Sequence, residues 1–72
     1  MIQLTSEQIA RAKAIYADAT ENGPVEEYMH DLDRGLLLYI STVDIVTVQV
    51  FRMDGNKITD EFVDITSKIT GD

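Results

Sequence analysis

Asp44-Ile45-Val46-Thr47-Val48-Gln49-Val50-Phe51-Arg52-Met53-Asp54-Gly55-Asn56-Lys57-Ile58-Thr59-Asp60-Glu61-Phe62-Val63-Asp64-Ile65 is the stretch whose reading decides the fold. Val46, Val48 and Val50 alternate with Thr47, Gln49 and Phe51, and this period-two pattern of β-branched residues predicts a strand over 45–52. Asp54-Gly55 punctuates the pattern, and a return strand is expected over 56–65. The loop sets the register. A two-residue loop at Asp54-Gly55 places Phe51 against Ile58 but leaves Val48 facing Glu61. A three-residue loop, Met53-Asp54-Gly55, pairs Val50 with Ile58 and Val46 with Phe62 on one face, and Ile45 with Val63 on the other. The second register gathers the apolar groups better and is the one expected. It puts Asp60 opposite Val48 on the core side, which calls for a sheet edge or an outward-turning bulge.

Upstream, Leu36-Leu37-Leu38-Tyr39-Ile40 is a continuous apolar run bounded by Gly35 and by Ser41-Thr42-Val43-Asp44. Five residues are too few for a globular helix, so a buried strand over 36–41 is expected. Residues 25–34 fit two readings. As a helix, Pro24 stands at the first helical position, Glu26 and Glu27 lie in the first turn, and Val25, Tyr28, Met29 and Leu32 share a stripe. As a strand, Tyr28, His30 and Leu32 share a face, and Asp33-Arg34-Gly35 forms a hairpin loop. The helix is favoured, although Asp31 and Asp33 sit poorly at a helix C-terminus.

The N-terminal segment reads more firmly. Thr5 as N-cap and Gln8 three residues on form a capping box, with Leu4 and Ile9 placed as a hydrophobic staple. Ile9, Ala12, Ile15, Tyr16 and Ala19 then fall on a stripe about 120° wide. Asn22-Gly23-Pro24 ends the helix, predicted over 5–21. Residues 66–72 are expected to fray. The fold class is therefore α+β: one or two N-terminal helices packed on a three-stranded antiparallel β-meander, four-stranded if residues 25–34 are extended.

The chain has 72 residues and is expected to form one small domain, 1–72. It has no cysteine and one histidine, so disulfides, thiolate metal sites and multi-imidazole zinc sites are excluded. No apolar run approaches the roughly 20 residues of a membrane span, and a cytoplasmic location is expected (the host cytoplasm if the chain is phage-encoded). The net charge is −7. It is concentrated in residues 25–44, where one basic and five acidic residues give −4. Direct binding to nucleic acid or to an anionic membrane is disfavoured, and a basic protein partner is favoured.

Chemistry-bearing patterns are sparse. Asp54-Gly55-Asn56 superficially matches a calcium loop, but aligning Asp54 puts Arg52 at the first ligand and Lys57 where the motif needs glycine. A plain hairpin turn is the better reading, and no metal or cofactor is expected. His30 has no nucleophile pattern beside it and reads as a surface residue. The expected activity is non-enzymatic. Glu26, Glu27, Asp31, Asp33, Asp60, Glu61 and Asp64 are the candidate partner-binding residues, forming an acidic surface that imitates a phosphate track. Ile45, Phe51, Val63 and Ile65, on the outer sheet face, are the candidate dimer or partner patch.

In size, charge and lack of catalytic equipment the chain resembles small acidic phage-type inhibitors, such as uracil-DNA glycosylase inhibitors and anti-CRISPR proteins. The resemblance implies occlusion of a basic, nucleic-acid-binding partner. The alternative is a homo-oligomeric interaction domain, a homodimer through the outer sheet face.

Overall fold

In the computed structural model, which describes residues 2–31 and 33–71, Thr5 caps helix α1 (Ser6–Asn22). The Gln8 N–H donates to Thr5 Oγ1 at 3.1 Å, and the Thr5 N–H donates to Gln8 Oε1 at 2.9 Å. Both arms of the expected capping box are present. Gly23 closes the helix with its N–H on the Ala19 carbonyl at 3.1 Å. The stripe of Ile9, Ala12, Ile15 and Tyr16 packs on the core, with Ala12 fully buried. Alanine at that point lets the helix lie close to the sheet.

The sheet is a four-stranded antiparallel meander in the order β1 (Glu26–Asp31), β2 (Leu36–Ser41), β3 (Thr47–Asp54), β4 (Lys57–Asp64). The helix favoured for residues 25–34 does not form; residues 26–31 are strand. Leu32, an apolar member of the helical stripe, lies outside the described residues. The reason for the strand is found on β2. Leu36, Leu37, Leu38 and Ile40 are all buried. A strand whose side chains are buried on both faces is a central strand, and its backbone polar groups need a ladder partner on each side. β3 supplies one side and β1 the other.

The β3–β4 register also corrects the expectation. Asp54 pairs with Lys57, so the hairpin loop is Gly55-Asn56 and not Met53-Asp54-Gly55. Gly55 has φ +62 while no non-glycine residue among those described has positive φ. That combination suits a type II′ turn, which asks for glycine at its first central position. Met53 pairs with Ile58, yet Phe51 pairs with Phe62. Between those pairs β3 has only Arg52, whereas β4 has Thr59, Asp60 and Glu61. The resulting bulge holds Asp60 exposed on an edge strand, the outward turn that its charge requires.

This register inverts the expected facing of β4. Val63 pairs with Val50 on the helix-covered face, and Phe62 turns to the other. Ile65 is 4% exposed and belongs to the core cluster with Ala12, Leu36, Leu38, Ile40, Val48 and Val50. The 66–72 segment is not a frayed tail through residue 70. It forms a short helix, α2 (Thr66–Thr70), whose Ile69 is buried in the same cluster. Thr66 anchors it: its Oγ1 accepts the Val48 N–H at 2.9 Å, extending the ladder by a side chain where β4 ends. No described helix is long and apolar enough to cross a membrane.

Candidate interaction surface

Strand alternation divides the sheet into two faces. Met29, Leu38, Val50 and Val63 are in register on the face under α1. The opposite face has no helix over it among the described residues. Across it runs one row, Tyr28, Tyr39, Gln49 and Asp64, and a second, His30, Leu37, Phe51 and Phe62. Met53 and Ile58 continue it towards the hairpin, and Glu26, Ser41 and Thr47 border it at the other end.

The apolar content of this open face is high. The Tyr28 and Tyr39 rings lie 5.0 Å apart at 42°, and the Phe51 and Phe62 rings lie 5.3 Å apart, stacked. Tyr28 is 56% exposed and Phe62 53%, with Ile58 similarly open. Leu37 is buried although it belongs to this face and not to the cluster under α1. It sits in register between His30 and Phe51, so the open face has an apolar floor of its own. Exposed large apolar groups that are contiguous, and not scattered, mark an interaction surface.

Its polar groups are ordered by local hydrogen bonds. Tyr39 Oη donates to Glu26 Oε2 at 3.0 Å. A hydrogen bond with Ser41 pulls the Tyr39 phenol down, but the Glu26 bond, burial and the Glu26 charge together leave it above its ordinary value. Asp64 Oδ1 accepts the Thr66 N–H at 2.9 Å. That bond, with further bonds from the Thr66 and Gln49 side chains, holds the Asp64 carboxyl below the usual carboxylate range. No Lys or Arg occupies an outward strand position among the described residues: Arg52 and Lys57 both alternate to the helix side.

The seven carboxylates taken from the sequence do not form one surface. Glu26, Glu27, Asp31 and Asp33 lie on or beside β1, whereas Asp60, Glu61 and Asp64 lie on β4, at the opposite edge of the sheet. Three strand spacings separate those edges, roughly 14 Å. Glu26 and Asp64 face outward, with Asp60 in the bulge. Glu27 and Asp31 alternate to the helix side, and Glu61 pairs there with Arg52 at 2.9 Å. Asp31 accepts a hydrogen bond from Gln8 Nε2, and Gln8 Oε1 also takes Arg34 Nη1 at 3.0 Å. The capping-box glutamine thus ties the first turn of α1 to β1 and to the turn after it. Beside this tie opens a cleft of about 400 Å³ between α1 and the sheet, floored by Met29, Leu36, Leu38 and Val50.

Of the four residues expected in the outer patch, Phe51 is there. Ile45 is 81% exposed but precedes β3, and Val63 and Ile65 face the core. Tyr28, Tyr39, Ile58 and Phe62 take their place. An aromatic-to-aromatic match across the hairpin was the available signal for Phe62. Comparison with known proteins gives no match: no family model, curated protein or solved structure is similar to the chain.

Proposed function

We propose that this protein is a non-enzymatic binding module that docks the open face of its sheet on a basic protein. The observation that carries the reading is the patch of Tyr28, Tyr39, Phe51, Phe62 and Ile58 on the face opposite α1, in which Tyr28, Ile58 and Phe62 are half open to solvent and Tyr39 and Phe51 partly so. Burying such aromatic anchors is a strong source of binding energy at protein interfaces. Charge selects the partner. Glu26, Asp60 and Asp64 accompany the aromatic groups, no Lys or Arg faces outward from the strands among the described residues, and the whole chain carries −7. A phosphate backbone is repelled and a Lys/Arg-rich protein surface attracted. Occlusion of a nucleic-acid-binding protein is the form of this reading that the charge favours. A second copy of the chain would bring Glu26 and Asp64 towards like charges.

The test is capture from the native host with three baits: the unaltered protein, Phe62→Arg, and the α1 surface control Ala14→Gln. The same partner should bind the first and third and be reduced at least about tenfold on the second. Raising salt from about 0.05 M to about 0.5 M should release it. Retention by Phe62→Arg, or capture indifferent to salt, sinks the reading.

A further inference from the structure

Resting on that docking face, we infer that what it recognises is an arginine side chain of the partner, laid on the Tyr28–Tyr39 pair beside Glu26, with an apolar side chain seated on Phe51 and Phe62. Three observations converge on a guanidinium and not merely on positive charge.

The two tyrosine rings are cross-strand neighbours 5.0 Å apart, tilted 42° to each other, and Tyr28 is more than half exposed, so an open aromatic ring face is presented. A carboxylate is held at its margin: Glu26 Oε2 accepts from Tyr39 Oη at 3.0 Å. No outward strand position offers a competing Lys or Arg among the described residues. A guanidinium is planar, stacks on aromatic faces, and keeps N–H donors along its edge for a carboxylate. An ammonium is compact and strongly hydrated, and it uses a ring-plus-carboxylate corner less well. Nucleic acid is excluded as the occupant by the same carboxylates.

The second row supplies spacing. The Phe51–Phe62 pair on β3 and β4 lies two residues along the strands and two strand spacings across the sheet from the Tyr28–Tyr39 pair on β1 and β2, so the two pairs are roughly 12 Å apart. Among the described residues, that row (His30, Leu37, Phe51 and Phe62) holds no carboxylate, Lys or Arg. The occupant therefore presents an arginine and an apolar side chain roughly 12 Å apart, close to the i,i+4 spacing of an extended segment that crosses the strands obliquely.

Two synthetic peptides provide the test: three copies of Arg-Ser-Ser-Ser-Leu-Ser, and the twin with lysine for arginine. Titrated into the labelled protein, the arginine peptide should shift the amides of Tyr28, Tyr39 and Phe51 and bind about three- to tenfold more tightly than its twin. Glu26→Gln should erase most of that preference, and sedimentation should show a monomer throughout. Equal affinity for the two peptides overturns the guanidinium assignment while leaving the docking face to the capture experiment. Shifts confined to α1, or none, overturn it too. So does a homodimer that Phe62→Arg dissolves, because a second copy would then be the occupant.

Discussion

Phe51 and Phe62 stand directly opposite each other on β3 and β4, rings stacked 5.3 Å apart, on the face that α1 leaves open. The pair has two roles. It fixes the register of β4 beyond the bulge, and it presents apolar surface to the outside.

A double-mutant cycle with Phe51→Ala and Phe62→Ala should therefore show favourable coupling of about 0.5–1 kcal/mol, the range for cross-strand aromatic pairs. Urea denaturation of the four proteins measures it. Additive losses would mean that the rings are neighbours without being partners.

Ala12 is fully buried where α1 meets the sheet. Leucine there has no room unless the helix lifts. Ala12→Leu should destabilise the protein by about 1–3 kcal/mol through overpacking. Thermal melting checks this; unchanged stability would show that α1 can retreat at no cost.

Ile69 is buried in the core from a helix only five residues long. Ile69→Ala should remove about 2–5 kcal/mol, a large share of what a domain of this size holds. Far-UV circular dichroism against urea gives the value. A loss below about 1 kcal/mol would mean that α2 is dispensable to the core.

Asp64 gives an acid-side prediction. Its carboxyl is held below the usual range chiefly by the Thr66 N–H. A depressed folded-state value contributes stability that is complete above the unfolded value of about 3.9 and disappears as pH falls through the folded value. The stability advantage over Asp64→Asn should thus be constant from neutrality down to about pH 5 and shrink below about pH 4. A pH series of melts on both proteins checks the sign; an advantage growing in acid would contradict it.

Gly55 opens the hairpin with φ +62, and no atom lies near the position where a side chain would begin. Strain in the backbone is then the whole penalty for a side chain. Gly55→Ala should cost about 1–2 kcal/mol, and D-alanine, introduced by chemical synthesis, should restore most of it. Equal stability of the two alanine forms would remove the turn assignment.

What could be read from the sequence was local. The capping box of Thr5 and Gln8, the Ile9–Ala12–Ile15–Tyr16 stripe and the alternating valines each announce themselves within a few residues, and each is in place. The four-strand form of the meander was among the expectations, but residues 26–31 satisfy helical spacing and strand alternation alike. Only β2's need for a second partner separates those choices, and that need is not local. The β4 register was hidden for a related reason. The two-residue Gly55-Asn56 loop, in place of the expected three-residue loop, is what turns Val63 and Ile65 inward and Phe62 outward; the bulge at Thr59–Glu61 adds two residues, which changes partners but not faces. The candidate surface inherited that inversion. Phe51 was legible from β3 alone, whereas Phe62 and Tyr39 became visible on the open face only once pairing was known.

The placement of α2 bears on how the chain folds as it is made. Every strand pairs with its neighbour in sequence, so the meander can assemble in the order of synthesis with little loop-closure entropy at each step. Completion of the core is different. Ala12 from the first helix and Ile69 from the last share one cluster, and α2 packs on α1 and β3. A nascent chain halted before residue 66 would hold its sheet early but leave one end of the helix–sheet seam open. Full cooperativity would then arrive late, when the last turn of helix emerges and docks.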